Sequence, residues 1–421
     1  MEQTFLNGIK IKKVRHLENI SIPLSEGKRK HLILTGKNGS GKTSVIEALV
    51  KHFQFIISEQ YDSEESIAKN YERREQKVQD LMKASGSERN KIELHEAQKY
   101  LVLWNELLEN WRKGAVSDCN SFAILREKYH RGSFILAYYK DERKFQVEQY
   151  KNIEKVELEK NYKIDATPGQ KLTKYLVDLK ATQAFAKNTE KSKKIDEWFE
   201  RFESVLKKIF EDPELKLEFN EDTFQFLIRE SGHEPFDFNT MSSGYAAVLD
   251  IINDLIMRME AQTKLRTEFD MEGIVLIDEI ETHLHLELQK KILPILTELF
   301  PNLQFIITTH SPFILNSLDN AVIYDLEKRM LVPQGMGNLP YEGIVEGYFG
   351  ADRLSEELRS KFERYKVLVN KGNLTDKEYA EIEELEYYLD EIPDYLATEV
   401  TTEYNRLKLE FANRGQAYGE N

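Results

Sequence analysis

Residues 36–43 read Gly36-Lys37-Asn38-Gly39-Ser40-Gly41-Lys42-Thr43. Before them, His31–Thr35 has the composition of a buried strand. After them, Ser44–Phe55 places Val45, Ile46, Leu49 and Val50 on one helical face. A strand, a loop of the form G-x-x-x-x-G-K-[ST] and a helix are together the context of a phosphate-binding P-loop. The glycines let successive backbone N–H groups turn toward an anion, and the helix N-terminus adds partial positive charge. The expected roles follow from reach. Lys42 extends to the β- and γ-phosphates and the Thr43 hydroxyl to Mg²⁺, while Gly36, Asn38, Gly39, Ser40, Gly41 and Ser44 surround the nucleotide.

Three further stretches gain meaning from this loop. Ile274-Val275-Leu276-Ile277-Asp278-Glu279 is an apolar strand ending in two carboxylates. Asp278 is expected to hold Mg²⁺, and Glu279 to orient and polarise an attacking water. Thr308-Thr309-His310-Ser311-Pro312 follows the next apolar strand and sets His310 at the carboxyl edge of a sheet, where α/β proteins place ligands. From there His310 is in position to donate to a γ-phosphate. Thr240-Met241-Ser242-Ser243-Gly244-Tyr245 precedes a helix and offers hydroxyls and N–H groups to an anion. Alone, each of these three has a plain structural reading: an acid at a strand end, a solvated histidine, a helix N-cap. Their order behind a P-loop is what makes them informative.

The rest of the chain reads as follows. Phe5–Ile11 and Ile20–Pro23 are strand candidates, broken by Gly8 and Gly27. Residues 62–83 and 88–112 are charged and sparsely apolar, with Ala84-Ser85-Gly86-Ser87 between them. Two readings stand for this stretch: an antiparallel helical hairpin projecting into solvent, or a helical subdomain packed on the core. Ser133–Tyr139 is a strand candidate, residues 170–210 two helices, and Leu215–Phe219 with Thr223–Ile228 a strand pair. Tyr245–Met259 and Leu284–Phe300 are helical, and Gly273–Ile277, Leu303–Thr308 and Ala321–Tyr324 are strands. Continuous apolar strands alternating with helices imply a parallel sheet covered on both faces. Residues 351–370, 375–391 and 396–412 form a terminal helical module with Leu354, Leu358, Phe362, Tyr365 and Val369 on one stripe. The expected division is 1–55 and 235–335 as the two lobes of one head, 56–234 as a helical insertion with a small mixed part, and 336–421 as the terminal module.

The 421 residues, 41% hydrophobic and 31% charged, suffice for a sizeable core. The longest uncharged apolar runs are strand-sized, so no membrane span is expected. The first residues lack a basic segment followed by an apolar one, so a cytoplasmic location is expected. One cysteine, Cys119, excludes an intrachain disulfide and a cysteine zinc site. The net charge of −14 disfavours broad contact with nucleic acid, but it is unevenly spread. Residues 351–421 carry a balance of −7 and residues 140–194 one of +5, so a local DNA contact through 140–194 remains open.

The order of P-loop, long insertion, Ser-Ser-Gly, strand with Asp278-Glu279, and Thr-His-Ser-Pro resembles the ABC-type ATPases of the RecF, SMC and OLD group. Asp278-Glu279-Ile280-Glu281-Thr282-His283-Leu284-His285 is similar to the Asp-Glu-Pro-Glu-x-His-Leu-His segment of a prokaryotic branch with overcoming-lysogenization-defect ATPases and the anti-phage ATPases PtuA and AriA. The motifs cover roughly residues 1–55 and 235–330. The resemblance implies an α/β fold: an ABC-type P-loop ATPase head with a helical insertion and a C-terminal helical module. It implies a homodimer or higher homo-oligomer with two ATPs sandwiched between heads, where Ser242, Ser243 and Gly244 act on the other subunit's nucleotide. The departures are Met241-Ser242-Ser243-Gly244-Tyr245 in place of the usual signature, and Ile280 in place of proline. Gln146 is the candidate for the Q-loop glutamine, and Arg15 and His16 are candidates for flanking adenine.

His283 and His285, two apart on a helix, would face different sides and do not suggest a metal site. No Asp-x-Asp follows residue 330, so a Toprim nuclease within the chain is not expected. The expectation is therefore an ATPase controlling a separate nuclease effector, of HNH or Toprim type, in anti-phage defence. The rivals are a RecF-like DNA clamp without an effector and a transporter's nucleotide-binding subunit. The long 62–112 segment and the Thr-His-Ser-Pro stretch argue against the transporter.

Overall fold

The computed structural model describes residues 3–58, 62–84, 88–143, 153–187, 189–263, 265, 269–336, 356–390 and 398–417. It divides into two compact units, Met1–Asn338 and Leu339–Asn421.

The first unit opens with β1 (Leu6–Val14) and β2 (Leu17–Pro23), an antiparallel pair extended by β4 (Gly114–Cys119) on the far side of β1. Gly8 does not break β1. It lies inside the strand where a Cβ would stand 2.9 Å from Ile22 O of β2, so its missing side chain permits close pairing. β3 (His31–Thr35) leads through the glycine loop into α1 (Lys42–Ile57). The Val45, Ile46, Leu49 and Phe53 face of α1 is buried in the core shared with both sheets.

α2 (Glu64–Lys83) and α3 (Glu88–Arg112) pair as a hairpin. At about 1.5 Å per residue the arms are roughly 30 and 38 Å long. Burial is concentrated at the foot, where Ile67, Leu107, Leu108 and Trp111 pack with Phe55 of α1 and Val116 of β4. Farther out, Arg74 lies 4.7 Å over the Tyr100 ring, while Met82, Ile92 and Val102 are exposed. Of the two readings open for this stretch, the arms thus follow the hairpin: beyond the foot they cover mainly each other.

α4 (Phe122–Arg131) leads to β5 (Phe134–Tyr139). A short 3₁₀ turn, Pro168–Lys171, precedes α5 (Leu172–Phe185) and α6 (Glu190–Phe210). β6 (Lys216–Asn220), β7 (Gln225–Arg229) and β8 (Phe236–Asp237) make a small antiparallel sheet. α7 (Ser243–Thr263) is buried on nearly all sides along its length, as its apolar composition all round requires. β9 (Glu272–Ile277), α8 (Leu286–Leu299), β10 (Leu303–Thr308), α9 (Pro312–Leu315), β11 (Ala321–Asp325) and β12 (Met330–Val332) complete the unit.

The central sheet has the order β12-β11-β3-β10-β9-β5, parallel except for β12. β3, β10 and β11 are buried at every position, which explains their unbroken apolar runs. Two strands of the 56–234 stretch belong to the head: β4 pairs with β1, and β5 with β9. That stretch is therefore not one insertion. The hairpin is one excursion between α1 and β4, and residues 140–242 are a second, between β5 and α7.

The second unit contains α10 (Glu356–Val369), α11 (Asp376–Asp390) and α12 (Thr398–Ala417). Phe362, Tyr365 and Val369 of the predicted stripe pack on Ile382, Leu385, Leu389, Tyr404 and Leu407 within this unit, with Leu358 at the edge. Leu354 lies outside the described residues. Arg364 holds Glu381 through two bonds of 2.7 Å.

Candidate functional site

The sheet order explains why distant motifs meet. β10 lies between β3 and β9, and all three run parallel. Their carboxyl ends therefore present the loops 36–41, 278–285 and 309–311 side by side. Within the first loop, Gly36 has φ +136°, and a Cβ there would stand 2.8 Å from Ser40 Oγ, so only glycine closes this turn. Ser40 N donates to Lys37 O at 3.1 Å. Lys42 is buried at the start of α1, and its Nζ folds back to Gly36 O at 3.0 Å and Lys37 O at 3.3 Å. Burial pushes the Lys42 pKa down, against Glu279, Glu281, Asp278 and Asp325, whose charges favour its ammonium form. Lys37, Asn38, Gly39 and Thr43 are exposed, Ser44 is half-buried, and the Ser40 hydroxyl is buried without a hydrogen-bond partner.

Asp278 is 1% exposed at the end of β9. Its N–H donates to Tyr139 O at 2.8 Å, and its Oδ1 accepts from the Thr308 hydroxyl. That same hydroxyl oxygen accepts from Glu279 N at 2.7 Å, so one threonine of β10 fixes both acids of β9. The other carboxylate oxygen, Asp278 Oδ2, is buried and has no hydrogen-bond partner. A buried, uncompensated carboxylate oxygen is costly unless a cation completes it. With the exposed Thr43 hydroxyl as the second hard oxygen, the donors suit Mg²⁺, which keeps several waters and is shared with phosphates.

Glu279 has φ +44°, a left-handed conformation unusual for a residue with a side chain. Burial raises its pKa first, Asp278, Glu281 and Asp141 raise it further, and Lys42 opposes them. Glu281 Oε1 accepts from His310 N, tying the loop after β9 to the loop after β10. Burial and the nearby Lys42 push the His310 pKa down, against Glu281 and Asp278, whose charges favour the imidazolium.

The fourth motif opens α7. Ser242 and Ser243 are exposed and Gly244 is buried. A Cβ on Gly244 would lie 3.3 Å from His283 O and 3.5 Å from His285 Cδ2, so the signature glycine sits directly against the loop after β9. His283 and His285 are not on a helix as expected. His283 is in a turn with φ +68°, and His285 is the residue before α8. Gln146 lies outside the described residues.

Sequence reasoning did not assign Thr308, Glu281 or Arg143. The first two stand inside motifs already singled out, Thr308 as a polar residue at a buried strand end and Glu281 in the turn after β9. Arg143, four residues beyond β5, has no sequence signal. Its guanidinium donates to Asp278 O (3.3 Å), Glu279 O (3.0 Å) and Ile280 O (3.2 Å).

With this geometry in view, the comparisons with known proteins agree in direction. A family described as "AAA domain, putative AbiEii toxin, Type IV TA system" matches residues 161–316, a stretch that holds the signature, the β9 acids and His310 but not the P-loop. The chain has a mixed α/β fold in which a glycine-rich loop joins β3 to α1 at the edge of a largely parallel sheet. It is similar to the "Septu protein PtuA" of Bacillus mycoides, at 25% identity over 91% of this chain and 50% of that one. It is also similar to the "Retron Ec83 probable ATPase" of Escherichia coli, at 35% identity over 31% of this chain and 25% of that one. The chain thus spans half or less of the length of these curated relatives. An SMC head domain from Thermotoga maritima aligns over 76% of this chain and 94% of its own, at 14% identity and a TM-score of 0.35. Among the described residues no helix is long and apolar enough to cross a membrane.

Proposed function

We propose that the chain is the ATP-binding and ATP-hydrolysing regulatory subunit of an anti-phage defence system, in which two heads close on two ATP molecules and thereby control a separate nuclease effector. The likeness to Septu and retron ATPases supports the defence setting. The observation that carries the catalytic reading is the meeting of three loops at the ends of β3, β10 and β9, while the hydroxyls of Ser242 and Ser243 stand exposed at the start of α7.

In this reading the backbone N–H groups of residues 36–43 and the Lys42 ammonium bind the β- and γ-phosphates. Glu279, raised in pKa and held by Thr308, orients a water toward the γ-phosphorus and accepts its proton as the bond to the β,γ-bridging oxygen breaks and ADP leaves. His310 donates one hydrogen bond to the γ-phosphoryl oxygens. Mg²⁺, when held by Asp278 and Thr43, supplies charge neutralisation on the phosphates. Ser242, Ser243 and Gly244 complete the nucleotide site of a second copy, so turnover requires two heads. Hydrolysis is slow and serves as a switch, and bond cleavage in nucleic acid belongs to the effector. A DNA contact, if one forms, falls to the 140–194 stretch, whose charge balance is +5.

The test is Glu279→Gln in the full chain. It should bind ATP with near-normal affinity, accumulate an ATP-dependent dimer in size-exclusion measurements, and turn over about 10²–10⁴-fold more slowly, the range for loss of a general base. A wild-type rate would refute the assignment of Glu279.

A further inference from the structure

Arg143 is 8% exposed, yet no role in phosphate binding or proton transfer falls to it. It spends two of its nitrogens on three consecutive carbonyls, those of Asp278, Glu279 and Ile280. Three successive carbonyls converge on one cation only where the backbone turns sharply, and the left-handed Glu279 (φ +44°) is at the centre of that turn. The planar fork of a guanidinium matches such a spread of acceptors, whereas a lysine ammonium offers a point charge.

The charge environment of Arg143 includes an acid of α7. The Arg143 Nε is buried without a hydrogen-bond partner, and the strongest acidic influence on the guanidinium comes from Asp250, two turns into α7 from Ser243. The next turn of the same helix carries Asp254, whose Oδ2 accepts from Tyr139 Oη at 2.7 Å and from Arg258 Nε at 2.6 Å, and whose Oδ1 accepts from Gly169 N at 3.1 Å. Tyr139 is the last residue of β5, and its carbonyl takes the Asp278 N–H. The helix that begins at the signature is therefore bonded to the end of β5, and the segment leaving β5 bears the arginine that grips the Glu279 turn.

We propose that Arg143 is a positioning residue for ATP hydrolysis: it holds the Asp278–Ile280 turn in the form that aims Glu279, from a segment that follows directly on Tyr139, the residue bonded both to Asp254 of α7 and to Asp278 N. The proposal rests on Glu279 being the catalytic carboxylate. It gives α7, whose start would touch the second copy's nucleotide, a physical route to its own head's catalytic turn.

The experiment compares Arg143→Gln, Arg143→Lys and Arg143→Ala in the full chain, with Glu279→Gln alongside. ATP affinity is read by calorimetry, kcat and KM by phosphate release, and folding by thermal melting. For Arg143→Gln the expected result is a kcat loss of about tenfold to a hundredfold, the scale for a small misplacement of a reacting group, with ATP affinity and KM nearly unchanged. Added guanidinium should restore part of the rate to Arg143→Ala, and added ammonium should not. If Arg143→Gln or Arg143→Ala fails to fold, the Lys variant decides by the same split between kcat and KM. Slow hydrolysis in Glu279→Gln with unchanged kcat in the Arg143 variants overturns this inference alone. A normal rate in Glu279→Gln overturns it together with the reading of the turn. Parallel losses of ATP affinity and kcat in Arg143→Lys overturn it in favour of general structural support.

Discussion

His52 joins the P-loop helix to the foot of the hairpin, and its replacement by phenylalanine should change how the protein responds to acid. The side chain is 2% exposed, and neither ring nitrogen has a hydrogen-bond partner among the described residues. It packs edge-on against Trp111 at 5.4 Å and Phe122 at 5.8 Å, contacts that a phenyl ring preserves. Burial, aided by Lys12, pushes its pKa from 6.5 down to about 3. The folded state thus binds the proton less tightly than the unfolded state. The His52 contribution is complete above pH 6.5, falls as pH drops below 6.5, and stops falling near pH 3. At pH 5 the penalty is about 2 kcal/mol, and at pH 3 it approaches 4–5 kcal/mol, from about 1.4 kcal/mol per pKa unit. His31, whose pKa burial lowers to about 4, adds the same kind of term to both proteins and cancels in their difference. Urea titrations of wild type and His52→Phe at pH 7 and pH 5, followed by tryptophan emission, give the difference directly. The variant should lose about 2 kcal/mol less than wild type between the two pH values, and at pH 7 it should be at least as stable, since two buried unpaired nitrogens are gone. Equal losses would show that His52 reaches solvent or a partner when the chain is in solution, and the argument from burial would fail.

Lys42→Ala should weaken ATP binding by at least about 1.5–3 kcal/mol, the range for hydrogen bonds to a charged group, and calorimetry on the folded variant checks it. Ser242→Arg should leave ATP binding to a single head intact while abolishing ATP-driven association; an ATPase rate per subunit that is independent of protein concentration in both proteins would count against the two-head site. Deleting residues 339–421, a separate compact unit with exposed Tyr379 and Tyr387, should leave ATP binding intact and disconnect the ATPase from its effector, as read by co-purification. A truncated protein that still assembles fully would refute docking through this unit.

The head was legible where local chemistry and strand burial coincide. The P-loop announces itself because only glycines allow its turns, and β3, β9 and β10 because strands buried on both faces need unbroken apolar runs. The terminal stripe was legible as a stripe, but its target was not: Phe362, Tyr365 and Val369 are used up inside their own three-helix core. β4 was missed because Gly114-Ala115-Val116-Ser117-Asp118-Cys119 has little strand character of its own; pairing with β1 makes it a strand. β5 was recognised as a strand, but periodicity does not say which sheet it joins, so the head's share of the 56–234 stretch stayed hidden. The helix after β9 was begun two residues early, because nothing in Thr282-His283-Leu284-His285 signals the left-handed turn at His283. Arg143 was beyond reach for a similar reason. An arginine among many charged residues becomes informative only when three carbonyls are found around it.

In the proposed two-head reading, the arrangement of α7 bears on how docking would reach the catalytic turn. A signature segment that only had to touch a nucleotide could sit on a loose loop. Here it opens a helix buried along most of its length, with Gly244 pressed against the carbonyl of His283, in the loop that continues from Glu279. Deeper in the helix, Asp254 holds the end of β5, and Arg258 donates to the Leu136 and Lys163 carbonyls at 3.2 and 3.0 Å. Buried polar bonds of this kind resist partial displacement, because breaking one leaves an unpaired group in the core. α7 is thus constrained to move with the end of β5 and the loop after β9, or not to move at all. In the proposed reading, docking of a second head against Ser242 and Ser243 would then act on the Glu279 turn as one rigid displacement, coupling turnover to assembly.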